Sequence, residues 1–506
     1  MRLRELLAGT EVAEIVGDAG AEIGSLAYDS RMVEPGTLFF CVPGQRTDGH
    51  EFGQRAVEQG AVALVVERLL DVQATQVRVS DSRAAMAPIA VRFWGDPTAK
   101  LRVAGITGTN GKTTTAFLIR HLLSSRGTPT GLLGTVKRIV GGVEEEVERT
   151  TPEAIDLQRT FRRMLDGGDA ACAMEVSSHA LALERAVGVR FAVAVFTNLT
   201  QDHLDFHLDM ERYFLAKREL FSSSGVGAPG SGKGKLPPQT AVLNVDDAYG
   251  KRLAAELRET GTPPMITFSA SGAEGADLRA VKVSFDAAGS QFLCLSPDGE
   301  AQVRMPLPGH FNVENALAAI GACLALGVPT EEAAASLATA DRVPGRFEPV
   351  DEGQPFSVLV DYAHTPDSLE NVLAAARELT EERLIAVFGC GGDRDREKRP
   401  QMGRIAARLS DACVVTSDNP RSEEPSAIIA EILAGMTDSD QSDIEVQPDR
   451  RAAIALAFGR AAAGDIVVIA GKGHEQGQEL AGGRKIPFDD REVAREELRK
   501  LAARAA

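Results

Sequence analysis

The sequence lacks an excess of basic residues, closely spaced cysteines and any long apolar run. Its 55 Lys and Arg against 72 Asp and Glu give a formal net charge of −17, which argues against a broad basic face for nucleic acid or a membrane surface. The six cysteines lie far apart with no C-x-x-C pair, so we expect reduced thiols in the core. No stretch reaches the roughly 18 apolar residues of a membrane span, and the N-terminus has no apolar stretch of signal length. We therefore expect a cytoplasmic protein, and a monomer.

The length of 506 residues exceeds what one hydrophobic core serves, and 44% hydrophobic with 25% charged residues is a typical soluble composition. We predict an α/β protein of three domains, at residues 1–97, 98–341 and 342–506. The first boundary follows from the turn residues at 94–97.

Apolar runs alternate with amphipathic helical patterns after residue 100, which predicts parallel sheets with crossover helices in the central and C-terminal domains. Between residues 275 and 308, consecutive strand patterns with Gly, Ser and Pro turns predict an antiparallel flank on the central sheet. Residues 222–238 are rich in Gly, Ser and Pro, and are expected to form a surface loop. The predicted strands are 37–42, 61–66, 170–174, 191–196, 241–243, 265–268, 357–360, 384–388, 412–416 and 466–470.

The segment GITGTNGKTTT, residues 105–115, stands between a predicted strand and a predicted helix. Glycines let backbone N–H groups face phosphate oxygens, Lys112 adds a mobile positive charge, and the Thr113 hydroxyl suits a phosphate-bound Mg²⁺. Ile106 occupies the slot of the first glycine in G-x-x-x-x-G-K-[ST], so this is a variant phosphate loop. The alternative is a purely structural turn.

Polar residues collect where the predicted strands end, in both the central and the C-terminal series. Ligands of open α/β sheets bind at the carboxyl ends of the strands. Two such edges, one in each domain, predict an active site in a cleft between a nucleotide domain and an acceptor domain.

Glu175 and His203 each follow a predicted strand near the phosphate loop. Glu175 is a candidate Mg²⁺ ligand, or part of a helix-capping cluster with Ser177. Histidine is not a typical ligand of Mg²⁺, so a capping or core role for His203 stays open on chemistry alone.

Lys217 lies on a predicted helix whose apolar stripe includes Tyr213 and Phe214, and a solvated helix lysine is the ordinary interpretation. If Lys217 is instead desolvated near a metal, its neutral amine can react with CO₂. The product is a carbamate that acts as an extra carboxylate ligand.

Arginines and carboxylates alternate at three strand ends of the C-terminal series, in GGDRD, DNPR and GKGHE. A bidentate arginine suits a ligand carboxylate, while Asp and Glu suit a ligand ammonium, so the set favours a zwitterionic amino acid. The alternative is an inter-strand salt-bridge network. In the N-terminal domain, YDSR and GQRTDG are ordinary turn sequences that together could hold a uridine diphosphate.

GTNGKTT, MEVSSHAL, TNLTQDHLDFH, the lysine helix, GHFNVENALAA, VPGRFE and DYAHTPDSLENVL together resemble the Mur ligases of peptidoglycan synthesis, nearly end to end. YDSR, TTP, GCGGDRDREKRP and DNPR are similar to the members that add the third residue of the stem peptide. DNPR is similar to the version that selects meso-2,6-diaminopimelate over L-lysine. The resemblance implies an N-terminal UDP-substrate domain, a central ATP domain and a C-terminal amino-acid domain.

The resemblance also implies site residues. ATP would be held by Gly108, Thr109, Asn110, Gly111, Lys112, Thr113, Thr114, Asn312, Arg346, Asp361 and His364. Two Mg²⁺ sites would use Thr113, Glu175, His203 and Lys217, the last as a carbamate (N6-carboxylysine), and the catalytic residues would be Lys112, Glu175, His203 and Lys217. The UDP-linked substrate would contact Ser30, Gln45, Arg46, Thr47, Thr150, Thr151, Ser177 and Arg185. Diaminopimelate would contact Arg394, Asp418, Asn419, Pro420, Arg421, Gly471 and Glu475.

Two positions depart from the family pattern. Arg149 stands where some relatives have an asparagine, and Leu183 replaces a glutamine, so the resemblance implies no substrate contact at these two positions. Three alternatives to the diaminopimelate ligase stay open: an L-lysine-adding ligase, a folylpolyglutamate synthetase, and a non-catalytic scaffold gated by nucleotide.

Overall fold

The computed structural model describes residues 1–44, 47–147, 149–222, 237–436 and 443–505. These residues form three sheets of five, eleven and six strands, and a small two-stranded hairpin. The predicted three-part α/β architecture is confirmed. Most of the predicted loop 222–238 lies outside the described residues.

The N-terminal sheet has the order β1-β5-β4-β3-β2, and only β1 runs antiparallel to its neighbour. Strands β3 and β4 are almost continuously apolar because helices and loops cover both faces. The strands are β1 (Glu14–Val16), β2 (Ser25–Ala27), β3 (Thr37–Phe40), β4 (Ala61–Val66) and β5 (Thr75–Arg78), and the helices are α1 (Leu3–Leu6), α2 (Gly53–Glu58) and α3 (Ser82–Phe93). Short 3₁₀ turns lie at Ser30–Met32, Gly49–Phe52 and Pro97–Ala99.

The central sheet has the order β16-β15-β14-β13-β12-β11-β6-β10-β7-β8-β9. Its strands are β6 (Arg102–Thr107), β7 (Thr130–Leu133), β8 (Arg138–Val140), β9 (Val143–Glu145), β10 (Ala171–Glu175), β11 (Phe191–Phe196), β12 (Thr240–Asn244), β13 (Met265–Ser269), β14 (Leu278–Asp286), β15 (Gly289–Ser296) and β16 (Gly299–Met305). Its helices are α4 (Lys112–Ser125), α5 (Ala154–Asp166), α6 (Ser178–Ala182), α7 (Leu204–His207), α8 (Met210–Arg218), α9 (Ala248–Thr260), α10 (His310–Ala325) and α11 (Thr330–Leu337).

The middle of the sheet, β14-β13-β12-β11-β6-β10-β7, is parallel. The strands at both ends of the sheet pair antiparallel. The flank β14–β16 was predicted. A second flank, β7–β9, was not predicted. Its hairpin turns at Gly141 and Gly142, whose φ angles of +56° and +79° favour glycine, so the Gly-Gly pair was the available signal.

The C-terminal sheet has the order β17-β18-β22-β19-β20-β21, parallel except for β17. Its strands are β17 (Glu348–Pro349), β18 (Ser357–Asp361), β19 (Leu384–Phe388), β20 (Ala412–Val415), β21 (Asp443–Val446) and β22 (Ile466–Ala470), followed by the hairpin β23 (Gly477–Glu479) and β24 (Lys485–Pro487). Its helices are α12 (Pro366–Glu378), α13 (Lys398–Leu409), α14 (Pro425–Leu433), α15 (Arg450–Arg460) and α16 (Asp490–Ala505), with a 3₁₀ turn at Ala481–Gly483.

The core of the central domain lies on both faces of its sheet. Helix α10 is apolar nearly all round and packs on the sheet beside α4, the helix that follows the phosphate loop. All six cysteines are buried thiols, as predicted. Among the described residues, no helix is both long and apolar enough to cross a membrane.

Hydrogen bonds join the central and C-terminal domains across the carboxyl edges of their parallel strands. Asn110 Nδ2 donates to Asp367 Oδ2 at 2.6 Å, and Arg346 Nη2 donates to the Thr113 hydroxyl at 3.1 Å. The two polar edges predicted from the sequence therefore face one another across a single cleft.

Candidate active site

The phosphate loop ends at Gly111, which begins helix α4 with a φ of +85°. A Cβ atom at this position would lie 2.4 Å from Asn315 Oδ1, so both the backbone conformation and the space require glycine. Lys112 Nζ donates to the carbonyl oxygens of Gly108 at 2.9 Å and Thr109 at 2.6 Å. The ammonium group of Lys112 is therefore held by carbonyl oxygens of the phosphate loop itself.

Glu175, the last residue of β10, lies buried beside this loop. Its carboxylate accepts hydrogen bonds from the Thr113 hydroxyl at 3.1 Å and from the Thr135 amide at 2.7 Å. A Cβ at Gly134 would lie 2.6 Å from Glu175 Oε1, so this glycine lets the backbone approach the carboxylate. The capping role falls to Ser177, whose hydroxyl accepts from the Ala180 amide at 3.2 Å, and Glu175 is left facing the phosphate loop.

Lys217 is fully buried on α8, which excludes the solvated-helix interpretation. Its Nζ donates to the Gly108 carbonyl at 2.7 Å and lies 4.6 Å from the centre of the Tyr213 ring. Burial, and then the charge of nearby Lys112, hold the pKa of Lys217 well below its usual value, and Asp202 only partly opposes them. The side chain therefore favours the neutral amine.

His203 precedes α7 in a left-handed conformation, with φ of +56°. Its Nε2 lies 3.3 Å from Asp202 Oδ2, and the His179 ring meets it edge-on at 4.8 Å. Burial lowers the pKa of His203 to about 3, so the imidazole is neutral at physiological pH. Across the parts of the chain that the structure describes, no group of three or more His, Cys, Asp or Glu side chains forms a ready metal site. A metal here would depend on the Glu175 carboxylate with the Thr113 hydroxyl, and on a modified Lys217.

A cleft of about 150 Å³ lies between the phosphate loop and the C-terminal domain. Asn312, predicted as a nucleotide contact, lies behind this lining and donates to the Pro308 carbonyl at 2.8 Å. Its neighbour Asn315, one helical turn later, lines the cleft and donates to Asn312 Oδ1 at 3.2 Å. Predicted residues that line the cleft are Thr109, Asn110, Gly111, Lys112, Thr113, Thr114, Glu175, Arg346, Asp361 and His364, and lining residues that were not predicted include Thr135, Asn198, Asn315 and Tyr362.

The C-terminal side of the cleft is built around the end of β18. The guanidinium of Arg346 lies over the Tyr362 ring at 4.4 Å, and Asp361 Oδ2 accepts from the Phe347 amide at 2.7 Å. Burial raises the pKa of Asp361 to about 6 even though Arg346 acts to lower it. His364 Nδ1 lies 2.7 Å from the Tyr362 carbonyl oxygen, which fixes the ring at the cleft wall.

Most of the predicted acceptor residues lie together at the ends of β20 and β22, and Arg394 comes after β19. Asn419 Nδ2 donates to Glu475 Oε2 at 2.9 Å. Buried Lys472, which was not predicted, donates to Asn419 Oδ1 at 2.8 Å and to Glu475 Oε2 at 2.9 Å. The sequence signal for Lys472 was its place in the GKGHE motif, between two predicted residues.

Arg421 has a φ of +51° and pairs with Glu479 at 3.0 Å, while its Nη1 donates to the Gly392 carbonyl at 2.7 Å. The alternative interpretation, an inter-strand salt-bridge network, is therefore partly correct, since Arg421 is paired within the protein. Gly471 has a φ of +126°, and a Cβ there would lie 2.6 Å from Asp418 Oδ2. Arg394 donates to the Asp393 carbonyl at 3.1 Å, and the Pro420 carbonyl accepts from the Glu423 amide at 3.0 Å.

A second cavity, of about 730 Å³, lies between the N-terminal and central domains. Thr150 lines it, as does Asp29, the neighbour of buried Ser30. Thr151 and Ser177 are not part of its lining. The Thr151 hydroxyl donates to the Glu175 carbonyl at 3.0 Å and accepts from the Ser177 amide at 3.2 Å. The Thr47 carbonyl accepts from the Gly44 amide at 2.9 Å, and Gln45 and Arg46 lie outside the described residues.

Glu153 forms salt bridges with three arginines beside this cavity. Its carboxylate pairs with Arg83 of α3 at 2.8 Å, with Arg149 at 3.3 Å and with the predicted ligand Arg185 at 3.0 Å. Arg149, the first departure from the family pattern, therefore has a partner within the protein. Leu183, the second departure, ends α6 with an apolar side chain and supplies no polar contact.

Comparison with known proteins identifies the family of the chain. Residues 22–94 match the Mur ligase family catalytic domain, 106–323 the Mur ligase middle domain, and 345–473 the Mur ligase glutamate ligase domain. Together these matches span most of the chain.

The chain is 46% identical to a UDP-N-acetylmuramoyl-L-alanyl-D-glutamate--2,6-diaminopimelate ligase of Syntrophomonas wolfei, over 99% of both chains. It is 48% identical to the ligase of the same name from Geobacillus kaustophilus, over 94% of both. A solved structure of a ligase of that name has 31% identity and a TM-score of 0.68, covering 99% of both chains. A MurF ligase of Thermotoga maritima in complex with ADP shares the fold, with a TM-score of 0.66 at 19% identity over 96% of this chain and 99% of that one. The chain belongs to the Mur ligase family.

Proposed function

We propose that the protein is an ATP-dependent ligase that adds meso-2,6-diaminopimelate to the D-glutamate of UDP-N-acetylmuramoyl-L-alanyl-D-glutamate. The single observation that carries this is the hydrogen bond from Arg346 of the C-terminal domain to Thr113 of the phosphate loop, which makes both domains part of one cleft. Full-length identity of 46–48% to ligases of that name supports the same substrates.

The reaction has two steps. The γ-carboxylate of the D-glutamate attacks the γ-phosphate of ATP, which forms an acyl phosphate and releases ADP. The amine of the amino acid then attacks the acyl carbon, orthophosphate leaves, and a proton is lost as the amide forms. In the first step Lys112 and the loop amides stabilise the charge on the phosphoryl group, and closure of the cleft excludes water that would hydrolyse the intermediate.

Mg²⁺ is part of the proposal, and the donor set fits it. The buried Glu175 carboxylate and the Thr113 hydroxyl lie 3.1 Å apart, and both are the hard oxygen ligands that Mg²⁺ prefers. When bound, the ion neutralises charge on the phosphates. Neutral His203, near Tyr213 and Lys217, would complete a second position.

Carbamylation of Lys217 is also part of the proposal. The neutral amine attacks CO₂ and loses a proton, which gives a carbamate with one negative charge. That charge would offset neighbouring Lys112 and supply the oxygen ligands that this part of the site otherwise lacks. An unmodified amine would instead stay bound to the Gly108 carbonyl at 2.7 Å.

The nearest alternative is L-lysine as acceptor. Diaminopimelate has one more carboxylate than lysine, and Arg421 offers it a guanidinium. The test is an acceptor panel in which ADP and tripeptide formation are measured with ATP, the UDP-linked dipeptide and either amino acid. Turnover with diaminopimelate at least about 10-fold above lysine supports the proposal. A preference for lysine overturns it.

A folylpolyglutamate synthetase and a non-catalytic scaffold fit the structure less well. The folylpolyglutamate synthases of Mycobacterium tuberculosis share only the fold, at 17% identity and a TM-score of 0.61. A non-catalytic scaffold would release no phosphate in the presence of all three substrates, so the same assay decides that case.

A further inference from the structure

We propose that Tyr362 couples the nucleotide site to the amino-acid site, so that a bound nucleotide prepares the pocket for the acceptor. The inference rests on the proposed function and adds to it a residue that is not among the site residues predicted from the sequence. Tyr362 lies between Asp361 and His364 in DYAHTP, at the carboxyl end of β18.

On the nucleotide side, the guanidinium of Arg346 stacks on the Tyr362 ring, with its Cζ 4.4 Å from the ring centre. The same guanidinium donates to the Thr113 hydroxyl of the phosphate loop at 3.1 Å. Phosphate oxygens attract an arginine more strongly than a neutral hydroxyl does. A bound nucleotide is therefore expected to draw Arg346 away from Thr113 and to shift the stack on Tyr362.

On the acceptor side, the Tyr362 hydroxyl donates to Glu475 Oε1 at 3.4 Å, a long hydrogen bond with room to tighten. The other oxygen of Glu475 accepts from Lys472 and Asn419, each at 2.9 Å. Glu475 is the carboxylate expected to face the ammonium of the acceptor. Its orientation thus depends on Tyr362 from one side and on a buried lysine from the other.

The surroundings of Tyr362 leave its backbone little freedom. Gly473 approaches so closely, with a φ of +54°, that a Cβ there would lie 2.8 Å from Tyr362 Cβ. The rings of His364 and His474 pack against Tyr362 at 4.5 Å and 5.1 Å. Because the backbone of Tyr362 is fixed, a shift of the Arg346 guanidinium is expected to move the Tyr362 ring and hydroxyl, and not the main chain.

The result is one continuous chain of contacts, from Thr113 through Arg346, Tyr362 and Glu475 to Lys472. Its two ends are the phosphate loop and the acceptor group. A positioning residue in the middle of such a chain gives a coupling free energy between the two ligands, and that coupling is reciprocal.

The test is a Tyr362→Phe variant, which keeps the ring under Arg346 and removes only the hydroxyl. Affinity for meso-2,6-diaminopimelate, or for L-lysine if the acceptor panel selects it, is measured by calorimetry with the UDP-linked dipeptide present, with and without a non-hydrolysable ATP analogue. In the unaltered protein the analogue is expected to tighten acceptor binding about 10-fold. In Tyr362→Phe the effect should fall to about 2-fold or less, while affinity for the analogue alone changes less than about 2-fold.

The reciprocal measurement, the affinity for the ATP analogue with and without the acceptor, must give the same factor. Tyr249→Phe is the matched control, since Tyr249 packs on Phe214 away from the cleft, and it should keep the full effect. Full coupling in Tyr362→Phe, or no coupling in the unaltered protein, would overturn the inference. Equal loss of affinity for both ligands would show a merely structural role. Failure of the proposed function appears separately, as absence of ligation in the acceptor panel.

Discussion

Lys112 and Lys217 donate to the same acceptor, the carbonyl oxygen of Gly108, at 2.9 Å and 2.7 Å. Lys217 is buried and Lys112 is half-buried at the cleft wall, so two positive charges at this point would repel each other more strongly than they would in open solvent. A neutral Lys217 removes that repulsion, and a carbamate on Lys217 turns it into attraction. The pair thus gives a physical reason for a modified lysine at this position.

We therefore predict that Lys217 is modified and that its loss abolishes ligation. Lys217→Met should lower kcat at least about 100-fold, because the site loses an anionic ligand. Short carboxylic acids such as acetate should restore part of the activity by supplying the missing carboxylate. Carbon-13 NMR with labelled bicarbonate should show a carbamate signal in the unaltered protein and none in Lys217→Met. An unmodified and fully active Lys217 would contradict this role.

Gly111→Ala should weaken nucleotide binding by about 100-fold or more, because the new Cβ would meet Asn315 Oδ1 at 2.4 Å in the wall of the cleft. Gly127→Ala is the matched control. Its φ of +77° is similar, but no atom lies within 4 Å of the new Cβ, so it should cost only about 1 kcal/mol of stability. Titration with an ATP analogue and thermal unfolding of both variants separate steric exclusion from backbone strain.

Arg421→Ala should raise KM for diaminopimelate about 100-fold, since the guanidinium partner of a ligand carboxylate is lost, and should change KM for ATP less than about 2-fold. The preference over lysine should shrink with it, because lysine does not use that contact. The two KM values and the acceptor ratio come from one steady-state assay. Equal losses in both KM values would defeat the specificity role.

Asp361 should make stability depend on pH between about 4 and 6. Burial raises its pKa from 3.8 to about 6, so the folded protein holds a proton on Asp361 that the unfolded chain releases. This group therefore stabilises the fold at low pH, and that contribution is lost as the pH rises through 6. From pH 5 to 7 the loss is about 1 kcal/mol.

Asp361→Asn keeps an acceptor oxygen for the Phe347 amide and removes the titration. Denaturant unfolding at pH 5 and pH 7 should show the unaltered protein losing about 1 kcal/mol more than the variant between the two values. Identical pH dependence in the two proteins would mean that the carboxylate does not titrate in this range.

The fold was largely predictable because its strands carry a strong local signal. The predicted strand 61–66 coincides with β4, and 191–196 with β11, since a strand that is buried on both faces is a continuous apolar run. The hairpin β8–β9 is short and carries exposed charges, so only its glycine turn marked it.

The site was less predictable, because its contacts depend on how separate segments meet. Motifs selected Glu475 and Arg346, but nothing local indicates that Tyr362 touches both. The same holds for Asn315, which replaces Asn312 at the cleft wall since helix periodicity turns Asn312 toward Pro308. Lys472 looks like a surface residue of a glycine-rich turn until the turn is folded against Asn419.

The most direct test of the account is isotopic transfer during turnover. The UDP-linked dipeptide is labelled with oxygen-18 in the γ-carboxylate of its D-glutamate and incubated with ATP, Mg²⁺ and diaminopimelate, and the released orthophosphate is analysed by mass. An acyl phosphate requires that one labelled oxygen appear in each orthophosphate as the amide forms. Orthophosphate without label, accompanied by tripeptide, would contradict phosphorylation of that carboxylate and with it the proposed mechanism.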